Sequence, residues 1–208
     1  KGFMGPERKS HPLTPKEKEK TAYHEAGHAL IASVLPDADP VHKVTIVSRG
    51  SAGGYTMKLA LEEKKLYSKK EYLDDIAMSL GGYVAEELVF GDVTTGASGD
   101  IQGLTNLARA MVTRWGMSDL IGPRALENDG GKAMFGSENK EYSEKMSAVI
   151  DAEVERIVKE ALARAKEVLI THRKALDAIA QKLIEVETLE QDEYNALISS
   201  LGIKPKTL

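Results

Sequence analysis

His24-Glu25-Ala26-Gly27-His28 decides how this chain is read. An α-helix turns once every 3.6 residues, so positions four apart share a face. On a helix, His24 and His28 aim two imidazole nitrogens at one metal ion. Glu25, beside the first histidine, can then reach a water on that metal and act as its base. H-E-x-x-H on a helix is the arrangement that zinc metalloproteases use. Coincidence is the plain alternative, and it requires either that the helix be absent or that no third ligand exist.

The flanking residues predict the helix. Thr14-Pro15-Lys16-Glu17 has the pattern of a capping box with proline at the first helical position. Ala22, Tyr23, Ala26, Leu30 and Val34 follow near helical spacing, and Pro36 marks the stop. Ala26 and Gly27 are small, which lets a second element approach this face closely.

Composition narrows the chemistry. The chain has 208 residues, 42% of them hydrophobic, which suits one large domain or two small ones. A net charge of -4 offers no electrostatic case for nucleic acid as a partner. No apolar run approaches the length that spans a bilayer. There is no cysteine, so a metal site here must use nitrogen and oxygen. The aperiodic residues 1–13, with Gly2, Gly5, Pro6 and Pro12, predict a linker from an upstream domain of a longer polypeptide.

Outward from the motif, the expected fold is mainly α with a small β-hairpin. Val41 to Val47 alternates and is β-branched, predicting a strand. Gly50 to Gly54 reads as a turn, and Tyr55 to Leu59 as the return strand. Ser68-Lys69-Lys70-Glu71 is a second capping box, opening a helix that runs to Gly91. Another helix is predicted from about Ser98 to Trp115, with Gly116 as its stop. From Ser143 onward three helices are predicted, the last opened by a capping box at Thr188-Leu189-Glu190-Gln191. Residues 14–142 thus form the metal-binding part, and 143–208 a C-terminal helical bundle of the same domain. Leu162, Leu169, Leu176 and Leu183 repeat every seven residues, but Thr171-His172-Arg173 reads as a turn that interrupts a zipper. Helix-on-helix packing explains the repeat better.

A catalytic zinc usually keeps three protein ligands. Beyond the two histidines, Asp100 lies in the first turn of a predicted helix, where the helix dipole favours an ionised carboxylate. Glu86 and Glu87 are rivals, and His11, His42 and His172 are spare imidazoles, of which His42, at a strand edge, is the fair candidate. Other motifs fail. Gly96-Ala97-Ser98-Gly99-Asp100 is one residue off a nucleophile elbow, and Gly130-Gly131-Lys132-Ala133 lacks the parts of a phosphate loop. No nucleotide site is expected within these residues.

Several stretches carry a family resemblance. They are Gly5-Pro6-Glu7-Arg8-Lys9, the HEAGH motif, Leu35 to Ile46, and Gly81-Gly82-Tyr83-Val84-Ala85-Glu86-Glu87. Phe90 to Ser98, Trp115-Gly116-Met117-Ser118 and Glu187-Thr188-Leu189 complete the set. The chain resembles the peptidase domain of the FtsH family, membrane-anchored AAA+ zinc proteases driven by ATP. The resemblance covers nearly the whole chain. It implies a zincin-type helix, one zinc ion per chain, and Asp100 as third ligand. Glu86 becomes a candidate for orienting a histidine ligand. It also implies a homo-hexamer, an ATPase domain and membrane anchor upstream in cis, ATP used only by that domain, and a position on the cytoplasmic face of an inner or plasma membrane. Polypeptides unfolded and threaded by the ATPase would be the substrates, in protein quality control. Two positions depart from the family pattern: Tyr83 stands where arginine is usual, and Gly99 where asparagine is usual.

The expected chemistry is peptide hydrolysis, with Glu25 taking a proton from water and returning it to the leaving amine. Val44, Thr45 and Ile46 are candidates to pair with an extended substrate by strand addition. The rival reading is a non-catalytic, zinc-stabilised oligomerisation module, which would have no use for a base at Glu25.

Overall fold

Helix α1 spans Pro15–Val34 and forms the axis of the fold. In the computed structural model, which describes residues 13–47, 55–58, 66–127 and 140–206, its capping box is complete. The Thr14 hydroxyl accepts the Glu17 N–H at 3.2 Å, and the Glu17 carboxylate faces back to the Thr14 backbone. Every residue from Ala22 to Ser33 is buried. A helix covered on all sides must be packed from several directions. Here α3 (Gly81–Phe90) and α6 (Arg173–Val186) flank it, with α2 (Lys69–Ser79), α5 (Lys140–Thr171) and the sheet completing the enclosure.

The expected hairpin is present as β1 (Val41–Thr45) and β2 (Tyr55–Lys58), antiparallel, with Val44 opposite Thr56. Its turn at Gly50 to Gly54 lies outside the described residues. A third strand, β3 (Thr188–Glu190), adds to the other side of β1, giving the order β2-β1-β3. Two expectations change as a result. Thr188 does not cap a helix, because its hydroxyl bonds to that of Thr45 at 2.8 Å while its backbone joins the ladder. Helix α7 (Gln191–Ser200) starts without a side-chain cap. Val44, Thr45 and Ile46 cannot receive a substrate strand. Val44 and Thr45 are paired on both sides, and the Ile46 N–H donates to the Glu187 carbonyl at 3.0 Å.

The long helix expected from 69 to 91 is two helices. The path breaks at Leu80, and α3 begins on Gly81-Gly82. The break serves packing. A Cβ on Gly27 would fall 2.2 Å from the Gly81 carbonyl oxygen, so the two backbones meet where only glycine fits. Helix α4 (Ser98–Thr113) follows a 3₁₀ turn at Thr95–Ala97, and Gly116, at φ 63°, stops the chain just beyond it.

The C-terminal helices α5, α6 and α7 touch one another in sequence order and pack more widely on the earlier helices. Helix α5 packs on α2 and α4, and α6 on α1. Leu169, Leu176 and Leu183 are fully buried in the same core as Leu30 and Ile31, and the chain turns at His172 between α5 and α6. The leucine repeat therefore faces the domain interior. Lys206 closes the fold by donating to the carbonyls of Ala32, Leu35 and Ala38 at the end of α1. Among the described residues, no helix is long and apolar enough to cross a membrane.

Candidate metal centre

Four backbone elements converge on the H-E-x-x-H turn. Helix α1 carries His24, Glu25 and His28; α3 carries Glu86; the loop after it carries Thr94; the first turn of α4 carries Asp100. His24 Nε2 lies 3.1 Å from His28 Nε2 and 3.2 Å from Asp100 Oδ2, and His28 Nε2 lies 3.1 Å from the same oxygen. The three atoms form a nearly equilateral triangle. Three ligands held about 2.1 Å from a tetrahedral zinc ion stand about 3.4 Å apart, so the spacing is within a few tenths of an ångström of what that ion needs.

The outer hydrogen bonds say which ring nitrogens are available. His28 Nδ1 lies 2.8 Å from the Met78 carbonyl oxygen, which can only accept, so Nδ1 carries the hydrogen. His24 Nδ1 lies 3.0 Å from Glu86 Oε2, and the same argument applies. In the neutral tautomers both Nε2 atoms then present lone pairs toward the carboxylate of Asp100. Three electron-rich atoms meet with no hydrogen to share among them, and a cation resolves that arrangement. Among the described residues this is the one group of His, Asp and Glu side chains with such convergence.

The electrostatics point the same way. A proton can take the cation's place: burial works against a charged His24, yet the hydrogen bonds to Asp100 and Glu86 outweigh it and raise its pKa to about 9, so a metal ion binds here by displacing that proton. Burial works to raise the carboxyl groups of Asp100 and Glu86, but both are held below the usual range by hydrogen bonds. His24 and His28 do this for Asp100, and His24 and Thr94 for Glu86. The pocket is built to hold positive charge.

Glu25 is 5% exposed and lines a cleft of about 130 Å³ with Lys20, Thr21, His24, Glu86, Thr94 and Gly96. A carboxylate beside the metal position, on a cleft that admits solvent, is where a base for water belongs. Gly82 makes room for the first ligand, since a Cβ there would fall 2.3 Å from the His24 ring.

The structure separates the rivals for third ligand. Asp100 is in the triangle. Glu86 stands behind His24. Glu87 faces away and pairs with Lys166 at 3.4 Å. His42 lies on β1, and His172 at the α5–α6 turn, both outside the cluster. His11 lies outside the described residues. Three contributors were not foreseen: the Met78 carbonyl, Gly82 and Thr94. The glycine pair inside a helical stretch was a visible signal for close approach. The Met78 carbonyl had none, because a backbone atom has no residue-type signature.

Comparison with known proteins agrees with this geometry. Residues 11–197 match the model of Peptidase family M41. The chain is 49% identical over 190 residues to the ATP-dependent zinc metalloprotease FtsH of Veillonella parvula, covering 90% of this chain and 30% of that protein. It is 47% identical over 207 residues to the ATP-dependent zinc metalloprotease FtsH 1 of Sphaerobacter thermophilus, covering 98% and 32%. The Bacillus subtilis ATP-dependent zinc metalloprotease FtsH is 46% identical over 200 residues, covering 94% and 31%. The chain thus spans about a third of the length of these relatives. On the family match and the identity over nearly its whole length, this chain belongs to peptidase family M41.

Proposed function

We propose that this chain is the proteolytic portion of an ATP-dependent zinc endopeptidase. The observation that carries this reading is the triangle of His24 Nε2, His28 Nε2 and Asp100 Oδ2, with Glu25 in the adjoining cleft. His24, His28 and Asp100 hold the ion, and Glu86 fixes the His24 ring by accepting its Nδ1 hydrogen. Zinc held there would lower the pKa of a bound water toward neutrality and polarise a peptide carbonyl. Glu25 takes the proton of the attacking water and returns it to the leaving amine. Substrate pairing falls to an outer strand edge, and β2 supplies one where β1 does not.

The relatives support a wider setting. Each is named an ATP-dependent zinc metalloprotease and is about three times as long as this chain. The remainder would contain the ATPase and a membrane anchor upstream in cis, with residues 1–13 as the linker. Residues 14–142 and 143–208 then make up one peptidase domain. A homo-hexameric ring on the cytoplasmic face, receiving threaded polypeptide in protein quality control, completes the proposal.

Asp100→Ala tests the ligand set. One zinc per chain in the parent protein and its loss in the variant, together with loss of proteolysis, is the expected result. Normal zinc content with unchanged proteolysis would remove Asp100 from the site.

A further inference from the structure

Thr94 lies on the loop between α3 and the 3₁₀ turn, and its hydroxyl makes two bonds that bear on the metal ligands. A hydroxyl has one hydrogen to give and lone pairs to accept with. The hydrogen goes to Glu86 Oε1 at 2.5 Å, because a carboxylate oxygen only accepts. The oxygen accepts the Gly96 N–H at 3.1 Å. Glu86 Oε2 is left to face His24 Nδ1 at 3.0 Å. Thr94 therefore occupies one oxygen of Glu86 and leaves the other for the histidine. The Gly96 bond also forms the start of the 3₁₀ turn Thr95–Ala97, which runs directly into α4 and Asp100.

We propose that Thr94 is a positioning residue for the metal centre: its hydroxyl orients Glu86 behind His24 and anchors the turn that delivers Asp100. One hydroxyl thus links the placement of two ligands that lie 76 positions apart in the chain. The proposal rests on the reading of His24, His28 and Asp100 as zinc ligands. Outer partners of this kind typically govern metal affinity by about 10- to 100-fold.

The test uses the full-length protein and reads zinc affinity by competition with a chelator, together with the visible spectrum of the Co²⁺-substituted protein. Thr94→Val keeps the shape and removes the hydroxyl. It is expected to weaken zinc binding by about 10-fold or more and to alter the Co²⁺ spectrum. Thr94→Ser is expected to restore both. In a Glu86→Gln background, Thr94→Val should add much less than it does alone, because residues acting through one another are not additive. Thermal melts check that each variant folds, and Thr94→Ala replaces the valine variant if that one does not. A folded Thr94→Val or Thr94→Ala with the parent affinity and spectrum, no rescue by serine, or a fully additive loss with Glu86→Gln would each overturn the proposal. Failure of the parent to bind one zinc, or unchanged binding after His24→Ala, would instead overturn the ligand reading, and it is seen before any Thr94 variant is compared.

Discussion

At the scale of residues, the His24 ring is held on three sides. Glu86 takes its Nδ1 hydrogen, Asp100 and His28 face its Nε2, and the Gly82 backbone lies against its face. Gly82 is as specific to the site as a ligand. Gly82→Ala would put a methyl group 2.3 Å from ring atoms, so either the ring or α3 must shift. The expected outcome is a loss of zinc affinity of about 10-fold or more, read by chelator competition, since a displaced ring no longer meets its outer partner. Two of the three side chains that converge in the cluster were legible in the sequence. H-E-x-x-H states two ligands and a base through helical spacing alone. The third was open among Asp100, Glu86 and Glu87 on residue chemistry. Two of these are neighbours in sequence and yet point apart, one toward His24 and one toward Lys166. Spacing along a chain does not say which face of a helix meets which neighbour.

At the scale of elements, capping chemistry and periodicity carried most of the fold. Thr14 and Ser68 both form the complete boxes their sequences predict. Thr188 has the same pattern and makes a strand instead. Its partners are β1 residues more than 140 positions away, and tertiary pairing overrides a local cap. The break at Leu80 likewise reflects contact with α1, which no local rule contains. Helix α4 has room for improvement at Gly103, which is exposed in the helix interior with open space where a Cβ would go. Gly103→Ala is expected to stabilise the protein by about 0.5–1 kcal/mol, measurable by urea unfolding. Gly99, which precedes Asp100, is also helical with no neighbour at its Cβ position. A side chain is sterically permitted there.

At the scale of the whole molecule, the metal centre ties parts of the fold that are distant in sequence. Helix α1 brings two of the clustered side chains, His24 and His28, and α4 the third, Asp100, while β3 from the C-terminal region completes the sheet beside α1. A ligand that binds only the folded state stabilises it by mass action, about 2.7 kcal/mol at 100 times its Kd. For a chain of this size, removing zinc with a chelator should lower Tm by about 5–10 °C. Unchanged melting after verified zinc removal would contradict a site assembled from these elements. The C-terminal helices expected from the sequence are present, and α5 and α6 pack on the motif helix as well as on each other. Amphipathic periodicity marks a buried face without naming what buries it.

The central claim is that Glu25 is the base of a zinc peptidase whose ligands are His24, His28 and Asp100. Glu25→Gln in the full-length protein tests it most directly. Zinc content and proteolysis of an unfolded substrate are measured on the same sample. The account predicts one zinc per chain, unchanged from the parent, with proteolysis reduced by about 10²- to 10⁴-fold. Proteolysis at the parent rate with zinc in place would contradict it.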